Sequence, residues 1–195
     1  MDSGTERQLS PVCFRYDADM QRTERILIKP GHPNFGACHR LCGQARRLGN
    51  CAVYTLRQRF FAKESLLTRS ELDKTIRSDN AEVYRSMPSA ASAQRQTQII
   101  SEQMKSWLMA SASYRKNPGK FKARPNLPGY KKRYRSFVVG RNGYKIENHR
   151  LYLTGGKEYG FQPLKIRCCE TQAFNAKINE TVVGDVRIVP LGNSF

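Results

Sequence analysis

Acidic residues are scarce in this sequence. Sixteen Asp and Glu stand against 34 Lys and Arg, giving a formal net charge of +18 and a pI near 10. A balance of that kind selects polyanions or an anionic membrane surface as partners. No apolar run approaches the length needed to span a bilayer, which removes the integral-membrane option. A secretory leader is also missing, since Met1 to Pro11 is polar. The six cysteines are therefore read as reduced thiols of a cytoplasmic protein, not as a disulfide framework.

Catalytic signatures are equally sparse. No Ser/His/Asp or Cys/His arrangement stands out, and Gly155-Gly156 lacks the spacing of a phosphate-cradling loop. Phosphodiester cleavage needs carboxylates converging on divalent ions. The one acidic residue inside an apolar strand is Asp185, in VVGDVRIVP, and it reads as facing solvent or pairing with Arg187. Cys38 and Cys42, with His32 and His39 nearby, are the only zinc candidates. They fall on an apolar helix stripe and lack a second ligand pair, so they read as core cysteines. Cys168 and Cys169 alternate faces of a strand and cannot chelate together. The expectation is a chain without catalytic residues, metal or cofactor.

What the sequence does hold is concentrated cation. Tyr114 to Arg135, YRKNPGKFKARPNLPGYKKRYR, carries nine Lys or Arg and no acid: Arg115, Lys116, Lys120, Lys122, Arg124, Lys131, Lys132, Arg133 and Arg135. Three prolines and two glycines within it exclude a regular helix or a central strand, so an extended, exposed loop is expected. Such charges repel one another unless a polyanion compensates them, and a phosphate backbone does so with release of counterions. Tyr114, Phe121, Tyr130 and Tyr134 lie among the charges as stacking candidates for unpaired bases. A solvated basic linker is the plainer reading, and the basic character of the whole chain weighs against it.

The flanks of this loop differ in period. Residues 1–20 read as a loose tail, with a short strand at Val12 to Tyr16. Glu24 to Lys29 alternates and reads as a first strand within 21–33. From Asn34 to about Phe61 a helix is expected. Phe35, Cys38, Leu41, Ala45, Leu48, Ala52, Leu56 and Phe60 form its apolar stripe. Arg46, Arg47 and Arg57 fall outside that stripe and make a basic outer face. Thr68-Arg69-Ser70-Glu71 fits a capping box for a short helix to about Arg77. Ser89 caps a third helix to about Ser113, whose stripe is Ala93, Thr97, Ile100, Met104, Trp107 and Leu108. Beyond the loop, strands are expected at Ser136–Gly140, Tyr144–Glu147, Arg150–Thr154, Phe161–Arg167 and Val182–Val189, with turns at Asn142-Gly143 and Gly155-Gly156. On the helices, Tyr54, Gln58, Gln94, Arg95 and Gln98 have the chemistry to reach base edges. The fold expected is α+β. A small antiparallel β-barrel (21–33 and 136–195) is interrupted by a three-helix module (34–113) and the basic loop (114–135).

NCAVYTLRQRFF (Asn50 to Phe61), the helix from Met87-Pro88 to Trp107, the KNPGKFKARPNLPGYKK loop and VRIVP (Val186 to Pro190) together resemble TnpB, the RNA-guided nucleases of insertion sequences related to type V CRISPR effectors. The order and spacing agree from about Glu24 onward. The resemblance implies a wedge-type barrel with an inserted recognition domain, holding a guide RNA and its hybrid with target DNA. It places the reading of a target-flanking motif at Thr68, Ser70, Gln94 and Arg141. Ala90 and Gly140, also carried over by position, bring no polar group. The acidic triad and zinc ribbon of the family's RuvC domain are not in this sequence, so the resemblance covers the recognition half. A RuvC-containing partner chain, or a general basic nucleic-acid-binding module or repressor, are the rival readings.

Overall fold

In a computed structural model, which describes residues 23–166, 184–191 and 195, two 27-residue helices set the frame: α1 (Phe35–Phe61) and α4 (Ala90–Lys116). Between them lie α2 (Arg69–Asp79) and the single-turn α3 (Ala81–Arg85). Five short strands follow: β1 (Phe137–Val139), β2 (Tyr144–Glu147), β3 (Arg150–Leu153), β4 (Leu164–Lys165) and β5 (Val186–Ile188). The class is α+β, as expected.

The apolar stripe of α1 is buried as its period requires. Cys38, Leu41, Cys42, Ala45, Leu48 and Ala52 are fully enclosed, with Val53 and Leu56 nearly so. Burial pushes the Cys38 thiol from its ordinary 9.0 up to about 12, and that of Cys42 up to about 11. Both are therefore protonated core groups, and Cys42 Sγ donates to the Ile188 carbonyl at 3.5 Å. His39 turns instead to the Tyr134 hydroxyl, and His32 Nδ1 accepts from the Asn34 amide. Among the described residues no group of three or more His, Cys, Asp or Glu could hold a metal. Cys13, Cys168, Cys169 and the expected strand at Val12 to Tyr16 lie outside the described residues.

The expected capping box at Thr68 forms, and the expected Ser89 cap proves to be a capping box too. The Thr68 hydroxyl accepts from the Glu71 amide at 3.3 Å while a Glu71 carboxylate oxygen accepts from the Thr68 amide at 2.8 Å. Ser89 and Ser92 exchange the equivalent bonds, each at 3.2 Å. At the start of α1, Asn34 does something else. Its buried side chain donates to the Gln162 carbonyl at 2.8 Å and accepts from the Gln162 amide at 2.6 Å, tying the β3–β4 connection to the helix.

The strands depart from the expected barrel. β1 pairs with β5 in one sheet, and β2, β3 and β4 form another; both are antiparallel, and no closed barrel is present among the described residues. Residues 24–29 form no strand. Ile28 instead makes a reciprocal backbone pair with Phe195. The tight hairpin falls at Asn148-His149, both with positive φ (47° and 57°), joining β2 to β3. That geometry suits the right-handed twist of a two-residue hairpin. Asn142-Gly143 instead ends a 3₁₀ turn between β1 and β2, which belong to different sheets. Gly155 does sit at a turn, with φ 69°. One core cluster joins α1, α2, α4, β1 and β5, and a small second one of Leu151 and Ile166 lies under β2–β4.

Two stability measurements follow. Thr68→Ala removes an N-cap and is expected to cost about 1 kcal/mol in urea denaturation. The two core thiols favour the neutral form in the fold, so their contribution is fully present below about pH 9. It is lost as pH rises toward 11 to 12. Denaturation midpoints measured at pH 8 and pH 10.5 should therefore fall, and Cys42→Ala should shrink the fall.

Candidate nucleic-acid interface

A proline-rich segment cannot satisfy its backbone by helix or ladder, so its carbonyls need other partners. In residues 125–135 those partners come mainly from the two long helices. Trp107 Nε1 donates to the Pro125 carbonyl at 3.2 Å, Arg57 to Pro128 at 3.2 Å, and Arg46 to Lys132 at 3.0 Å. Asn50 binds both backbone groups of Lys131, donating at 3.1 Å and accepting at 3.0 Å, as a neighbouring strand would. The Arg135 amide reaches the Cys42 carbonyl at 3.5 Å. The segment thus runs antiparallel to α1, from Arg57 back to Cys42. The lengths agree: seven extended steps reach about 23 Å, and fifteen helical residues rise about 22 Å.

Pinning this strap by its carbonyls leaves its charged side chains outside. Arg115, Lys116, Lys120, Lys122, Arg124, Lys131, Lys132 and Arg133 are all exposed, and none of the eight makes an ion pair among the described residues. Arg47 is exposed beside them on α1. The boundary moves slightly from expectation, because α4 continues through Lys116 and carries Tyr114, Arg115 and Lys116 in its last turn.

Arg135 behaves differently. It is 7% exposed, and its guanidinium lies across Gly49 of α1, where a Cβ would come within 2.5 Å of Nε. Its Nη1 reaches only the neutral Gln103 at 3.4 Å, and Nε has no partner. Burial pushes its pKa below the ordinary arginine value. It is a structural cation and not an outward phosphate contact. Arg46 and Arg57 likewise hold the strap, with one nitrogen each committed to a carbonyl.

The four stacking candidates separate too. Tyr130 is half exposed, whereas Tyr114 and Phe121 pack edge-on at 5.7 Å between centroids. Tyr134 is held by His39 and packs near Phe195.

The four positions to which the resemblance assigns flank reading lie near a second feature. Arg69, Glu102, Arg95, Asp185 and Arg187 form a continuous chain of ion pairs, at 2.6, 3.4, 2.7 and 3.5 Å in that order. Asp185 is therefore bound chiefly by Arg95, which holds two of its hydrogen bonds, with Arg187 the looser partner. The Asp185 carboxylate raises the Arg95 pKa above its ordinary value, and this commits Arg95 away from base edges. Thr68 and Ser70 flank Arg69, exposed Gln94 precedes Arg95, and exposed Arg141 follows Gly140, which faces Asp185. The network thus links α2 and α4, which carry Thr68 as N-cap, Ser70 and Gln94, with Asp185, near which Gly140 precedes Arg141. The Thr68 hydroxyl is already engaged in its cap.

Sequence reading missed Gly49, Asn50 and Gln96. A Gly-Asn pair in the middle of a long helix is a poor helix former and signals a tertiary task. Gln96 donates to the Ser136 carbonyl at 3.2 Å and so sets the start of β1 against α4. No protein-family model matches this chain, and no curated protein matches it either.

Asn50→Ala should loosen the strap without unfolding α1, at about 1 to 2 kcal/mol for its two bonds. Amide exchange at Lys131 should accelerate while helical circular dichroism stays unchanged. Gly49→Ala should do the same at Arg135.

Proposed function

We propose that this chain is the recognition half of a TnpB-like protein, binding a structured guide RNA and its hybrid with target DNA and cutting neither by itself. The observation that carries the reading is the run of eight exposed cations, without an ion pair among the described residues, from the end of α4 (Arg115, Lys116) through Lys120, Lys122 and Arg124 to Lys131, Lys132 and Arg133 on the strap fixed along α1. A phosphate backbone supplies the missing anions, and a fixed row of charges reads the shape of a folded RNA rather than its bases. The two small sheets beside the helices take the place of the wedge barrel. Gln94 and Arg141, exposed beside the ion-pair chain, take the part of flank readers.

The test is binding to a structured RNA at moderate salt, together with sequencing of the RNA that copurifies. A single abundant transcript is expected. Lys131→Ala with Lys132→Ala should weaken binding and lower the slope of log affinity against log salt by roughly two. Gln94→Ala should leave RNA affinity unchanged and reduce only the preference for a flanking DNA motif. Failure to bind structured RNA would overturn the reading. A mixture of ribosomal and transfer RNA would replace it with a general basic module.

A further inference from the structure

Large aromatic side chains are usually covered, and three on one side of this molecule are not. Tyr54, Phe61 and Tyr130 are 56%, 60% and 50% exposed. Tyr54, Arg57 and Phe61 are spaced i, i+3 and i+7, which places them on one face of α1. The strap brings Tyr130 to the same place. The Arg57 guanidinium lies 5.4 Å from the Phe61 ring and 5.7 Å from the Tyr130 ring, contacting both. It is held there by its bond to the Pro128 carbonyl and makes no ion pair among the described residues. Phe61 is braced from behind by Phe60 at 5.5 Å, and Phe60 by Trp107 at 5.1 Å. The result is a rigid, outward set of rings with a guanidinium between two of them. It sits next to exposed Lys131 and Lys132, with exposed Gln58 on the same helix.

We infer that this face is a stacking platform for the unpaired bases of a single-stranded nucleic acid, a refinement that rests on the nucleic-acid reading above. Bases present π faces of any sequence to Tyr54, Phe61 and Tyr130, and the Arg57 plane adds a cation–π contact. The neighbouring lysines hold the phosphates that connect those bases. A purely electrostatic surface would have no use for exposed rings. An apolar protein partner is opposed by the density of uncompensated cations around them.

The discriminating probe is an unstructured RNA of about a dozen nucleotides, compared with an abasic strand of the same length and charge. Fluorescence anisotropy on the full chain should show the base-bearing strand bound roughly tenfold tighter or more. Phe61→Leu and Tyr54→Leu, which keep apolar bulk and remove the ring, should each erode that difference while the salt dependence stays the same. Lys131→Ala with Lys132→Ala should weaken both strands alike. Equal affinity for the two strands in the unaltered chain, or an unchanged preference in both leucine variants, overturns the platform while leaving structured-RNA binding intact. Absence of binding to any of these nucleic acids overturns both readings. Tyr54 takes no part in the Arg57 contacts, so its variant stands even if Phe61→Leu disturbs the helix end.

Discussion

The hydrogen bonds between α1 side chains and the backbone of residues 128–135 are the constraint on which the surface depends. Asn50 is central to them, because it satisfies both the amide and the carbonyl of Lys131. An extended segment with its carbonyls turned inward sends neighbouring side chains outward. Arg46 and Arg57 add charge-assisted donors on either side, which are stronger than neutral ones. Leu127 and Tyr134 pack against the core and fix the ends. Without this set, the basic stretch would be a self-repelling coil, with the ordering cost of each residue still to be met on binding.

Acid is distributed to match. Among the described residues Glu64, Asp73, Glu102, Glu147 and Asp185 pair with Arg59, Arg77, Arg69, Arg95, Lys145 and Arg187, and never with a strap cation. Glu102 ties α2 to α4 and Asp185 ties α4 to the start of β5, while the other pairs are local. Among the described residues, charge is neutralised along α2, α4 and the strands and left without ion pairs where the strap runs. A low count of acidic residues alone would not give that segregation; their placement does.

The helical half was legible because its signals are local. The α1 stripe, the Thr68 and Ser89 caps and the end of α1 at Phe61 follow from periods and pairs within a few residues. The strand half was less legible. Asn142-Gly143 has favourable turn chemistry, yet its flanking strands join different sheets, and Asn148-His149 makes the hairpin. Residues 24–29 alternate like a strand, but Ile28 pairs only with Phe195. The site was legible in composition and not in arrangement. Whether an arginine points at solvent depends on contacts distant in sequence. Arg135 is buried by Gly49, and Arg95 is taken by Asp185, 90 residues away.

Fixing the strap before any partner arrives alters how a polyanion would be bound. The backbone order that a flexible basic tail acquires on binding is here supplied by folding, through bonds to a helix that is itself core. Lys131, Lys132 and Arg133 therefore stand at spacings set by α1, and under the proposed reading a ligand would be selected for phosphates that match those spacings. The same bonds couple binding to stability. Each anion placed along the strap would relieve repulsion among its cations and their neighbours at the end of α4, so a bound polyanion would favour the folded state by mass action. The chain would then be most ordered when its surface charge is compensated.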